Sequence, residues 1–413
     1  MDAGRTRGGG DEGHGPGGIS AREMEELADP SPGAEAPWPA PVNAGDELAT
    51  LGREKIPRWA MLALLTVSTA IPLSLLWDYS WESTIGIDPL WSPPHVMNVF
   101  AVFGAGLLAL WIVLRGGARE WPRAIRCSSW TAPIGIWAVL WGAAAFGAGF
   151  LFDQWWQSTY GLAGGIWHPP QCLKTAAYLA ILLGVWLVTK GAAFALAGGN
   201  LLAMVGMVTL AGALANRQHS VEFYQVACGT YPLVLAAMAS GGNGRFTATR
   251  AAAAYLALGA AMVWLLPLCP AAPLVGPIFH PRTTFLPPPF PLLLVLPALA
   301  MDRLLGAASA GTRKAGGWGA ALEAGLAFAV VFGITQWLFS AFLLSSASAG
   351  RLFAGGGINW PFFLQIEPSA EQSFWLEAKD AITWRGGLVM LALVTVSVRC
   401  GLWFGSLRRE VSG

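Results

Sequence analysis

Residues 59–77 read WAMLALLTVSTAIPLSLLW, nineteen consecutive positions without a charged side chain. A helix needs about 20 mostly apolar residues to cross the hydrocarbon core of a bilayer. Trp59–Trp77 therefore reads as a membrane-spanning helix. Comparable stretches follow at roughly 95–114, 130–152, 172–189, 193–215, 221–240, 251–268, 288–301, 317–345 and 386–406. The eighth is short and carries Pro287, Pro288, Pro289, Pro291 and Pro297, which predicts a kinked or re-entrant segment. The expected fold is an all-α polytopic helix bundle of about ten spans.

Composition agrees. The 413 residues are 54% hydrophobic and only 12% charged, whereas soluble domains carry about 25% charged residues. A soluble enzyme, a disordered regulator and a nucleic-acid binder are excluded on that ground. The lipid bilayer is the expected partner, with a homo-oligomer or other membrane-complex subunits left open. A net charge of +1 suggests no polyanionic ligand. Five cysteines without a CxxC spacing make no disulfide framework. Residues 1–56 are rich in Gly, Pro, Glu and Ala and read as a disordered cytoplasmic tail in which His14 is solvated. No signal peptide is expected, because the first apolar run begins only near Trp59. Residues 57–413 form the transmembrane domain.

Orientation follows from Lys and Arg in the short loops. Arg53, Lys55 and Arg58 precede the first span, and Arg115, Arg119, Arg123 and Arg126 separate the second from the third. Lys190, Arg245 and Arg250, then Arg303, Arg313 and Lys314, mark the next even-to-odd loops, and Arg408 and Arg409 follow the last span. Loops 78–94 and 153–170 contain no cation. Ten spans with both termini cytoplasmic, in the inner membrane of the cell, satisfy this distribution.

The two cation-free loops resemble each other. Asp78, Trp81, Ser83-Thr84 and Gly86 recur at Asp153, Trp156, Ser158-Thr159 and Gly161, an offset of 75; Trp91 and Pro93-Pro94 recur at Trp167 and Pro169-Pro170, an offset of 76. The expectation is a duplicated two-helix unit, about 59–114 and 130–189. A weaker third echo runs from Gly276 to Pro281. Pro-Pro before an apolar run suits a helix start, and Gly86 and Gly161 allow a tight turn. The stretch Asp78…Trp81…Gly86-Ile87-Asp88…Trp91-Ser92-Pro93-Pro94-His95 resembles a motif of multi-span membrane proteins of bacteria and archaea that are themselves uncharacterised. The resemblance covers about 18 residues twice and implies no particular activity. In that pattern the position after the motif Trp is often His; Glu82 and Gln157 stand there here. The second copy has Gln171 where the first has His95, and gains His168.

Under the ten-span reading His95, His168, His219 and His280 all fall at extracytoplasmic helix ends, level with Asp78, Asp88, Asp153 and Glu222. Cys172, Cys228, Cys269 and Met97 lie in the same outer half. Imidazole with carboxylate suits copper, zinc, iron or nickel, and nearby thiol or thioether favours Cu(I). The leading expectation is an outer transition-metal site, copper first and zinc second, with those four histidines and four acids as ligands or their supports. No diagnostic spacing accompanies it. Three other readings stand beside this one: the groups cap helices or seal turns, as His219 with Glu222 could; they form a proton or solute relay in a transporter; or the chain is a non-catalytic subunit of a membrane complex. Lys174 is expected to snorkel to the interface, with a counter-ion role as the alternative. Gln336 is expected to bond to a neighbouring helix. The last outer loop, about 346–385, combines Glu367, Glu371, Glu377, Lys379 and Asp380 with three tryptophans and suits a lid or a docking surface.

Overall fold

The computed structural model describes residues 56–86, 91–116, 124–161, 168–209, 218–271, 283–307, 317–348, 350, 352–355 and 383–412. The expected tail, the third motif echo with His280, Asp88 and most of the last outer loop lie outside the described residues. Ten α-helices occur among them: α1 (Arg58–Thr84), α2 (Pro93–Gly116), α3 (Ile134–Tyr160), α4 (Pro169–Val188), α5 (Gly191–Val208), α6 (Val221–Gly241), α7 (Thr247–Leu265), α8 (Val295–Ala307), α9 (Trp318–Leu344) and α10 (Trp384–Ser412). All except α6 and α8 are long and apolar enough to cross a membrane. The chain is an all-α membrane protein. Leu107, Leu151, Ile334 and Leu338 are exposed on helix surfaces, as expected for side chains whose solvent is lipid.

Two boundaries differ from the reading of the sequence. The third apolar run does not begin a helix at Trp130. Strands β1 (Ala124–Cys127) and β2 (Trp130–Pro133) form an antiparallel hairpin, and α3 starts at Ile134. The motif acids also lie on helix and not in loops, because α1 continues to Thr84 and α3 to Tyr160. Gly86 and Gly161 then end these helices with φ of 104° and 83°, a conformation that side chains with a Cβ resist.

Close packing depends on missing side chains. Lipid supplies no hydrophobic drive between helices, so intimate contact requires small residues at the interface. On α3, Gly135, Gly142 and Gly149 recur every seven residues against α4. A Cβ at Gly135 would lie 2.5 Å from the Gly184 carbonyl oxygen, and one at Gly142 would lie 2.9 Å from that of Ala177. Helix α10 meets α6 through Gly401 and Gly405, a GxxxG pair. A Cβ at Gly405 would collide with Ser240 Oγ and come within 2.8 Å of the Ala237 carbonyl oxygen.

Arg408 then locks the end of this pair. Its guanidinium is buried and donates to the carbonyls of Trp186, Thr189 and Gly241. These oxygens terminate α4 and α6, where helix carbonyls lack intrahelical partners and the dipole is negative. The Phe194 ring lies 3.9 Å below the cation.

The eighth apolar segment is only partly helical. Residues 285–294 are non-helical and mostly buried, and only Val295–Ala307 is helix. Four of the ten are proline and carry no N–H. The Leu286 N–H donates to Thr84 Oγ1 at 2.8 Å, and its carbonyl accepts from Ser80 Oγ. Leu292 N–H donates to Tyr255 Oη at 3.0 Å and Leu293 N–H to Gln336 Oε1 at 2.9 Å. Helices α1, α7 and α9 thus supply the partners that a helix would have provided for itself.

Replacing Gly405 with Leu should cost about 1–3 kcal/mol through overpacking and lower the unfolding midpoint of the detergent-purified protein. Gly333→Ala, which meets nothing within 4 Å, should leave the midpoint unchanged or slightly raised. Equal midpoints for the two variants would show that α6 and α10 do not need this close approach.

Candidate functional site

Three of the expected site residues, Asp78, His95 and Asp153, lie at the junctions of α1 with α2 and of α3 with α4. Asp78, one and a half turns before the end of α1, places Oδ1 3.3 Å from His95 Nε2 in the first turn of α2. At the positions offset by 75 and 76, Asp153 receives the side-chain amide of Gln171 at 3.5 Å. It also holds Lys174 Nζ at 2.7 Å, with both side chains largely buried. Lys174 is therefore the counter-ion of an acid and does not snorkel outward. Gly149 makes this possible: a Cβ there would lie 3.1 Å from Lys174 Cγ. The corresponding pair in the first unit is Ser74 and Asn98, and there Asn98 Nδ2 donates to Ser74 Oγ at 2.8 Å.

The two junctions are connected. Tyr178, buried on α4, donates its hydroxyl to Asn98 Oδ1 on α2 at 2.8 Å. Both Asp78 and Asp153 lie close enough to Tyr178 to act on it electrostatically. One hydrogen-bonded chain thus runs Tyr178–Asn98–Ser74 across α4, α2 and α1, flanked by an Asp–His pair and an Asp–Lys pair. Deeper along α1, Thr69 Oγ1 accepts from Asn200 Nδ2 of α5 at 2.9 Å, and both residues are near the middle of their helices.

The remaining candidate ligands lie elsewhere. His168 precedes α4 without capping it through its side chain, and its ring lies 6.1 Å from that of Trp156. His219 is buried against Trp337, with ring centroids 4.4 Å apart and Nε2 3.3 Å from the Trp337 carbonyl oxygen. Glu222 is exposed on the first turn of α6 and does not seal a turn with His219; Ser220 caps that helix by accepting from Phe223 N–H. Among the described residues, no three His, Cys, Asp or Glu side chains group as metal ligands. Cys172 and Cys269 are exposed and Cys228 is buried on α6. Gln336 donates to Gln218 Oε1 at 2.7 Å, just before α6, and accepts from Leu293 N–H, so its partners lie in non-helical segments and not on a neighbouring helix.

Sequence reasoning found Asp78, His95 and Asp153 but not Asn98, Tyr178 or Ser74. The 76-residue offset that aligns His95 with Gln171 also aligns Asn98 with Lys174, and extending it would have flagged both. No protein-family model, curated protein or solved structure matches the chain, so its functional reading rests on its own residues.

Removing one partner of a buried ion pair strands the other charge. Asp153→Asn and Lys174→Met should each destabilise the protein by about 3–5 kcal/mol. The double variant should lose at least about 1 kcal/mol less than the sum of the two. Additive losses in thermal unfolding would show that the two charges do not depend on each other.

Proposed function

We propose that the protein is a proton-coupled transporter of small solutes, crossing the cytoplasmic membrane ten times with both termini on the cytoplasmic side. The observation that carries this reading is the gathering of Asp78, His95, Asp153 and Lys174 around the Tyr178–Asn98–Ser74 chain. Intramembrane ionisable groups are costly to maintain and mark proton and substrate paths. Protonating Asp153 would release Lys174, and protonating His95 would strengthen its hold on Asp78. Each event changes how firmly one helix of a pair is tied to the next. Such charge-controlled contacts between repeated units suit the rocking motions of secondary transporters.

Two further features support the reading. The partly helical eighth segment matches the discontinuous helices that line transporter sites. The matched contacts at offsets of 75 and 76 fit a duplicated two-helix unit, and the cation distribution fits the proposed orientation. Metal handling by copper or zinc has weaker support, because its described candidate ligands are dispersed.

Liposomes containing the purified protein should show pH-gradient-dependent uptake of at least one uncharged solute among urea, glycerol, acetamide and isobutyramide. That uptake should exceed the leak of empty liposomes about tenfold and be lost in Asp153→Asn. Gradient-independent permeation, or full activity in the variant, would overturn the coupling role. Near-stoichiometric copper or zinc in the purified protein, lost in His95→Ala, would support metal handling instead.

A further inference from the structure

The residues beside the partly helical segment enclose a second site, distinct from the titratable cluster. A small, partly open cavity lies among α1, α5, α6, α7 and the proline-rich segment. Its wall is mainly apolar, with Leu76, Met207 and Phe290 among the lining groups, and two tyrosine hydroxyls interrupt it. Tyr231 and Tyr255 both sit near the middle of their helices. Their hydroxyls converge at Gly206, where an added Cβ would lie 3.8 Å from each oxygen. None of the described lining residues is charged.

The hydrogen-bond inventory shows what these hydroxyls can still do. Thr209 Oγ1 lies 2.9 Å from the Val205 carbonyl oxygen. It also lies 3.3 Å from the Gly206 carbonyl oxygen and 3.1 Å from Tyr231 Oη, a contact in which either hydroxyl can donate. In either case Tyr231 keeps a lone pair. Tyr255 accepts from Leu292 N–H, and its own proton has no acceptor among the described residues. A hydroxyl donor on a residue only 6% exposed costs free energy until an acceptor arrives. Gly206 maintains the space in which that acceptor would stand.

We infer that this cavity binds a small uncharged solute with an apolar body and a hydrogen-bond acceptor, taken by Tyr255 O–H, with Tyr231 Oη available to accept from a donor on the same ligand. The absence of a charged group from its described lining disfavours ions of the same shape, since a buried charge needs a partner. Assigning this ligand as the transported solute rests on the transporter reading above; the existence of the site does not.

Equilibrium dialysis of the full chain in lipid nanodiscs, with labelled isobutyramide against isobutyrate at neutral pH, tests the inference. About one isobutyramide should bind per chain, and isobutyrate at least tenfold more weakly. Gly206→Leu should fill the space and lower affinity at least tenfold with little change in unfolding midpoint. Tyr231→Phe, which adds no volume, should weaken binding several-fold and guards against a folding defect in the first variant. No binding to the parent protein, equal binding of the anion, or full binding in both variants would overturn the site. Gly206-dependent binding without gradient-driven uptake would uphold the site and remove transport. Gradient-driven uptake and binding that ignore Gly206→Leu would uphold transport and remove the site.

Discussion

Inside a bilayer no water is available to hydrogen-bond a stray amide, and this protein is organised around that constraint. Helices meet it by satisfying their own backbones, which is why nearly all of the described apolar runs are helical. The informative departure is the segment 285–294. Proline removes four of its donors, and Ser80, Thr84, Tyr255 and Gln336 take up backbone groups of Leu286, Leu292 and Leu293. Extended chain can therefore persist in the interior, but only while those four side chains stay in register. The break ties α1, α7 and α9 together as firmly as a packed helix would.

The same constraint explains the ends of helices. Carbonyls at the last turns of α4 and α6 would be left without donors if those ends came together in an apolar setting. Arg408 reaches back from α10 and supplies three N–H donors at once. Arginine suits this position because its fork of donors is planar and stays charged, and its flat face packs on Phe194. It reads at first as a cytoplasmic loop cation, and in the fold it is a shared cap for two helices.

Polar groups that serve no backbone are concentrated in two places. Around Tyr178 the charges come in pairs, so that the interior carries little net charge. Among the described residues lining the cavity at Gly206 there is no charged side chain, only two hydroxyls in an apolar wall. The first arrangement supports the proton-coupled reading, and the second supports the proposed site for an uncharged solute. Asn200 and Thr69, between α5 and α1, occupy the same middle depth.

Much of the architecture was legible in the chain. Hydrophobic run length marked the neighbourhood of each of the ten described helices, eight of which are long and apolar enough to cross a membrane. Loop cations suggested an orientation, and the glycines read as turn formers, Gly86 and Gly161, lie just beyond the ends of α1 and α3. The repeated motif located Asp78, His95 and Asp153, because those residues interrupt runs that are otherwise apolar. The metal expectation gathered side chains by level alone, whereas level says nothing about azimuth. His168 and His219 precede α4 and α6 and Glu222 is exposed on α6, apart from the Asp78–His95 pair. Helix extent was also underestimated, since the polar residues that end an apolar run need not end the helix.

What the sequence by itself determined is the helical kind of most elements and their approximate placement along the chain, because these follow from local burial and backbone hydrogen bonding. Tertiary structure alone decided the pairing of Lys174 with Asp153, the convergence of Tyr231 and Tyr255 on Gly206, and the capping of two helices by Arg408. Each of these depends on the rotation and close approach of helices distant in sequence. Those are set by where glycine lets backbones touch, through contacts that no single segment contains.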